Sequence, residues 1–281
     1  MGRTRTLLAS VVVVTIGVSA PGSAQTREFS ETVPLESGGS LQLEASKGSV
    51  TVTAWEREEV EIRARIEAPR EVSDDYARRA VDATTVDVTG TSRSVRVRSN
   101  YEGVPTRAGF WDWDSRTVPS IHYEIRAPRK LSLSVRSDRG PTSLAGFEGR
   151  IELDADRGEV DLRDLTGEIR LVIDRGQDST LSVIRGSFDL EADRTNVRMR
   201  EVRIEDDSRL DIDRGDAEID LAAAQGLTLR TDLSRRADFD SELPLTLGSL
   251  NGRSFDGTIN GGGPELFIES DRGSVRLTAA R

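Results

Sequence analysis

The chain contains no cysteine. No disulfide can staple it, no thiolate can act as nucleophile or metal ligand, and no lipid-bearing cysteine can follow an export signal. There is one histidine, His122, in the strand-like context Ile121-His122-Tyr123, and a lone histidine is more often structural than catalytic. No G-x-S-x-G elbow occurs, so the usual serine-hydrolase turn is missing. Lysine is confined to Lys47 and Lys130, which leaves arginine to supply the positive charge. With a net charge of -10 and no basic stripe, the surface would repel phosphates, and a nucleic-acid partner is excluded. No apolar run reaches the ~20 residues that a membrane span needs.

The first 24 residues read as a secretory signal. Arg3 and Arg5 give a positive start, Leu7 to Val18 an apolar stretch, and Gly22-Ser23-Ala24 a cleavage site before Gln25. The mature chain is expected to be exported, periplasmic or extracellular at the cell surface, with no stable membrane span after cleavage.

The strongest positive feature is a recurring tripeptide. Asp-Arg-Gly starts at Asp138, Asp156, Asp174, Asp213 and Asp271; Asp193-Arg194-Thr195 is a degenerate copy, and Asp232 and Asn251-Gly252 fall in the same register. The steps average about 19 residues, a period that marks repeat architecture. Within one unit Val160 and Leu162 alternate with Asp161 and Arg163. A turn at Thr166-Gly167 follows, and then Ile169, Leu171 and Ile173 alternate with Arg170 and Val172. Period two means half-buried strand. No single unit can cover its own apolar side, so units must stack. In this reading each corner has glycine for the positive φ, aspartate to brace the bend, and arginine to offset a column of like charges about 4.8 Å apart.

The expected fold is therefore all-β: a β-solenoid, like a single-stranded β-helix, with coils of about 19 residues and an irregular N-terminal cap. Regular short strands alone would also permit an up-and-down barrel, but the near-constant step with in-register turn residues favours the solenoid. Residues 132–281 form its regular part. Residues 25–131 form the first coil and the cap with a loop insertion, and 25–281 make one continuous domain. In the cap a short helix is expected from Glu71 to Val81, after Pro69. Two strands follow, near Thr85–Val88 and Ser94–Arg98, joined by a turn at Gly90.

Three segments resemble a known family. Gly48-Ser49-Val50-Thr51-Val52-Thr53-Ala54-Trp55 is similar to the opening strand of the bacterial putative-adhesin family of β-strand-repeat proteins, a domain of unknown function. Tyr123-Glu124-Ile125-Arg126-Ala127-Pro128 and Asn260-Gly261-Gly262-Gly263-Pro264 resemble its middle and C-terminal segments. The resemblance implies a non-enzymatic binding scaffold of the cell envelope or surface. It carries over no catalytic, cofactor or metal residues.

Other motifs read as architecture. Gly261-Gly262-Gly263 lacks the Gly-Lys-Ser/Thr ending of a phosphate loop. Arg214-Gly215-Asp216, formally an integrin tripeptide, arises where an Asp-Arg-Gly copy precedes an aspartate. An aspartate column could attract calcium, but alternating arginine opposes a cation. Phe110-Trp111-Asp112-Trp113-Asp114 sits in a glycine- and proline-bounded stretch. Trp111 and Trp113 either fold back over the core or present a stacking surface to a glycan or protein ligand. The reading is an exported, non-enzymatic binding scaffold with an envelope, glycan or protein ligand. The alternative is a carbohydrate-active lyase or hydrolase.

Overall fold

In a computed structural model, residues 25–70, 72–105, 117–176, 178–222 and 224–280 are described. The expected signal segment 1–24 and the Phe110–Asp114 stretch lie outside them. The N-terminal part comprises β1 (Thr26–Pro34), β2 (Ser40–Ala45), β3 (Val50–Trp55), β4 (Glu59–Glu67), α1 (Asp74–Ala83), β5 (Thr85–Thr91), β6 (Ser94–Asn100) and β7 (Ser120–Pro128). There follow β8 (Ser132–Ser137), β9 (Thr142–Ala145), β10 (Glu148–Ala155), β11 (Val160–Asp174), β12 (Ser179–Asp193), β13 (Val197–Ile204), β14 (Ser208–Arg214) and β15 (Ala217–Leu221). The C-terminal part holds β16 (Leu227–Ser241), β17 (Leu245–Asn251), β18 (Ser254–Ile259) and β19 (Glu265–Ala279).

The all-β expectation holds, and the period-two alternation places the core. Leu162, Leu165, Ile169, Leu171 and Ile173 are buried along β11, with Asp161, Arg163 and Arg170 facing out. The glycine turn expected at Thr166-Gly167 is a bend within one continuous strand, with Asp164 and Gly167 at positive φ. The expected helix starts three residues later, at Asp74. Ser73 caps it by accepting from the Tyr76 N–H at 3.3 Å, and Asp74 and Asp75 fill its first turn. The β5–β6 turn falls at Ser92-Arg93 rather than Gly90.

Parallel pairing builds two ladders. One runs β6–β2–β8–β10, through the second halves of β11 and β12, to β14 and the first half of β19. The other runs β7–β3–β9, through the first halves of β11 and β12, to β13, β15 and the second half of β19. β16 continues both ladders in parallel beyond β19. Antiparallel strands flank them: β1 and β4 beside β7, β5 beside β6, and the β17–β18 hairpin beside the first half of β16.

The β-solenoid expectation is corrected here. The parallel pairs β12–β13, β13–β15, β15–β19, β19–β14 and β14–β12 close on themselves as a five-strand barrel, with many strands outside it. The regular step also fails where two further repeats were expected. Arg214 pairs directly with Arg272, Asp232 lies beside Glu269, and Asn251 closes a hairpin with Ser254. The reason is burial. β19 offers Leu266, Ile268, Val275 and Leu277, all fully buried, to the open edges of β14 and β15. β17 buries none of its residues and cannot compete for that place.

The Asp-Arg-Gly corners keep their role but not the expected bracing. Gly140 donates its N–H to the Arg157 carbonyl at 2.8 Å, and Gly215 donates to the Arg272 carbonyl at 3.2 Å, tying each corner to the next. The aspartates are held by arginines instead of bracing the bend. Arg175 bridges Asp174 (2.9 Å) and Asp156 (2.6 Å). Arg194 bridges Asp193 (2.9 Å) and Asp174 (3.6 Å), and Arg214 bridges Asp213 (3.2 Å) and Asp193 (3.2 Å). Burial alone would raise the Asp193 pKa. Hydrogen bonds with Arg194 and Asp213, and the charges of Arg194 and Arg214, outweigh it and hold the carboxyl below the usual range.

Candidate functional site

The break in the repeat creates a groove. Where the β17–β18 hairpin folds over β16, an open depression of about 700 Å³ forms against β12, β14, β16 and β19. Its floor is one row of side chains across four parallel strands: Asp189, Arg209, Phe267 and Arg230. Phe267 falls between Leu266 and Ile268, which point inward, so the pleat turns its ring outward. The Arg209 guanidinium lies 4.9 Å from the centre of that ring, a cation–π distance.

The next outward row is Glu191, Asp211, Glu269 and Asp232. Arg209 reaches across to it and pairs with Asp211 at 3.2 Å and with Glu269. Burial would lower the Arg209 pKa, but these two carboxylates outweigh it and raise it, so the guanidinium is a fixed positive charge. One Asp189 carboxylate oxygen is buried with no hydrogen-bond partner. From the hairpin side, Ser254 donates to Asp232 at 3.2 Å, and Asn251 adds an amide to the wall. The floor thus combines an aromatic face, two guanidinium groups and a carboxylate. Such a set can hold a polar ligand with an apolar face, such as a sugar ring.

His122 lies at a separate recess of about 390 Å³, lined by Lys47, Glu67 and Ser120 among others. Its Nδ1 accepts from the Ser49 N–H at 3.3 Å and lies 2.9 Å from the Ser49 hydroxyl. Its Nε2 is 3.6 Å from the Glu67 carboxylate. A main-chain N–H can only donate, so Nδ1 carries no proton and the ring is neutral. Burial, with help from Arg65, keeps the His122 pKa below the ordinary value against the opposing pull of Glu67. A serine–histidine–carboxylate line can activate a nucleophile. Here the base would have to give up its bond to the Ser49 N–H to take a proton, so the cluster ties β3 to β7 and β4 rather than preparing a nucleophile.

The other sequence candidates are structural. In Arg214-Gly215-Asp216, Arg214 belongs to the ion ladder, and Asp216 accepts from the Ser274 N–H at 2.8 Å and from its hydroxyl at 2.7 Å. Asn260 to Gly263 form the turn that returns the chain from β18 to β19. Trp111 and Trp113 lie outside the described residues. Among the described residues no group of three or more histidine or acidic side chains is set to hold a metal ion. Sequence reading missed the groove. The one legible signal was the uninterrupted Leu266-Phe267-Ile268, where an alternating strand must put the middle residue outside.

No family model matches the chain, and no curated protein matches it. Its fold is similar to three solved structures. A putative cell adhesion protein from Clostridium sporogenes is 9% identical, with 90% of this chain and 99% of that chain covered and a TM-score of 0.36. A putative adhesin from Parabacteroides merdae is 10% identical, with 94% and 99% covered and a TM-score of 0.35. A putative lipid binding protein from Parabacteroides distasonis is 12% identical, with 92% and 97% covered and a TM-score of 0.25.

Proposed function

We propose that this is an exported, non-enzymatic binding scaffold of the bacterial cell envelope or surface, taking a polar, glycan-like ligand in the groove at the repeat break. The observation that carries the reading is the row Asp189–Arg209–Phe267–Arg230 on the floor of an open depression. Export rests on the signal-like pattern of residues 1–24 and on the three resembling motifs. The solved structures, at TM-scores of 0.36 or less, carry no part of it. An open groove suits binding more than turnover, because active sites commonly close over the reacting groups.

Glycan-array binding by the full chain tests the reading, with Phe267→Ala and Arg230→Ala as groove variants and Trp111→Ala/Trp113→Ala as the comparison. Binding that the groove variants abolish, without product release, is the expected result. Product release on the array would favour the carbohydrate-active alternative. Binding lost only in the tryptophan variant would move the site to the 110–114 stretch.

A further inference from the structure

Apart from Val183 on β12, the large hydrophobic side chains exposed among the described residues are Leu247 (57% exposed) and Leu250 (68%), both on β17. This strand, Leu245-Thr246-Leu247-Gly248-Ser249-Leu250-Asn251, contains no charged residue in a chain that is 31% charged. Among the described residues it has a strand neighbour, β18, on one side only. Its other edge leaves a row of main-chain donors and acceptors open. Sheet proteins normally blunt such an edge with charge, proline or a short strand, and here the charges are missing.

The hairpin also carries an apolar stripe that outruns the core. Leu245 is opposite Ile259, Leu247 opposite Gly257, and Leu250 opposite Phe255, with a bulge between Leu247 and Ser249 that keeps the three leucines on one face. Ile259 is fully buried and Leu245 partly so, while Leu247 and Leu250 emerge progressively into solvent. Phe255 packs edge-on against Phe239 at 5.0 Å beneath the exposed end. The stripe is continuous with the core but only half covered.

We infer that β17 pairs antiparallel with β17 of a second copy of this chain, joining two hairpins edge to edge about a two-fold axis near Gly248. The charges that flank the strand favour this occupant and this direction. Glu242 precedes it, and Arg253, which also pairs with Asp238 at 2.6 Å, follows it. An antiparallel pair sets the Glu242 end of each copy against the Arg253 end of the other, whereas a parallel pair would set like charge against like. A chain of net charge -10 repels its own copy over most of its surface, and this uncharged strand is where that repulsion is least. Seven residues a side fall short of a standard interface of about 1,600 Å², so the dimer depends on concentration.

The absence of cysteine makes a single introduced thiol an unambiguous reporter. Gly248 has no positive φ, and a side-chain carbon there would meet only the Asp256 carbonyl oxygen, at an ordinary 3.5 Å. Gly248→Cys should therefore fold and cross-link rapidly to a disulfide dimer on mild oxidation, while Thr89→Cys, exposed on β5, should not. Sedimentation of the full chain over a concentration series should show a shift from one to two chain masses. Leu247→Lys/Leu250→Lys should abolish that shift with the circular dichroism spectrum and melting temperature retained. Glu242→Arg alone should weaken the dimer, since it sets two arginines together. A monomer at every concentration, whether or not a foreign β-strand peptide binds the hairpin, overturns the inference. So does a dimer that survives the double lysine variant, or cross-linking no faster at residue 248 than at residue 89.

Discussion

The corner column can be tested at Gly158. Its φ is +148°, and a methyl group there would lie 2.1 Å from the Gly140 carbonyl oxygen and 2.6 Å from its carbon. Ordinary contact begins near 3.4 Å, so Gly158→Ala must push the neighbouring corner back by more than an ångström. That corner is fixed by the Gly140 N–H bond to the Arg157 carbonyl, and yielding lengthens a ladder bond. Overpacking of this kind costs about 1–3 kcal/mol. Holding an L-residue at this φ costs about 1–3 kcal/mol more. The expected loss is then about 2–6 kcal/mol.

Gly252→Ala isolates the second component. Gly252 has a φ of +65° with nothing within 4 Å, so only the backbone cost of about 1–2 kcal/mol remains. It is partly offset by about 0.4–1 kcal/mol from a stiffer unfolded chain. Urea unfolding followed by circular dichroism reads both. The Gly158→Ala midpoint should fall well below that of Gly252→Ala at unchanged slope. Equal midpoints would mean that the corners do not press on one another, and the reading of Asp-Arg-Gly as a packing device would fail.

Two other consequences are open to measurement. Arg194 bridges Asp193 and Asp174 with its side chain about half exposed (49%), so Arg194→Gln should cost no more than about 1 kcal/mol. The deficit should shrink in about 0.5 M salt; a larger, salt-insensitive loss would contradict the ladder's surface character. His122 has a lowered folded-state pKa, so between that value and the unfolded value near 6.5 the unfolded chain binds more protons. The stability contributed by the neutral ring is present above about pH 6.5 and is lost as pH falls toward the folded pKa. The single histidine resonance should titrate below about 6.5, and His122→Asn should flatten the decline in melting temperature over that interval.

Much of the fold was legible because a half-buried strand writes its burial as period two. The alternation in 160–173 located both strand faces, and the spacing of Asp156, Asp174 and Asp193 located their corners. The closure was not legible, because it depends on competition between segments far apart in sequence. Asp232 and Asn251 keep the period but not the place. Beside them, Leu247 and Leu250 look as apolar as Ile268 and Leu277, and only packing shows that the latter pair wins the edge of β14 and β15. The same displacement hid the groove. Phe267 and Arg230 become neighbours because β19 sits between β14 and β16, a 37-residue separation that no repeat spacing predicts.

This displacement bears on where specificity can reside. Along the corners a ligand would meet the same Asp and Arg at every step, already paired with each other at 2.6–3.6 Å. Such a column offers no unique register. The row Asp189–Arg209–Phe267–Arg230 occurs once and draws its members from β12, β14, β19 and β16. Discrimination needs groups that one ligand satisfies and another leaves unpaired. On the proposed reading, the regular part of the molecule is the rigid support, and its irregular end is where recognition can be specific.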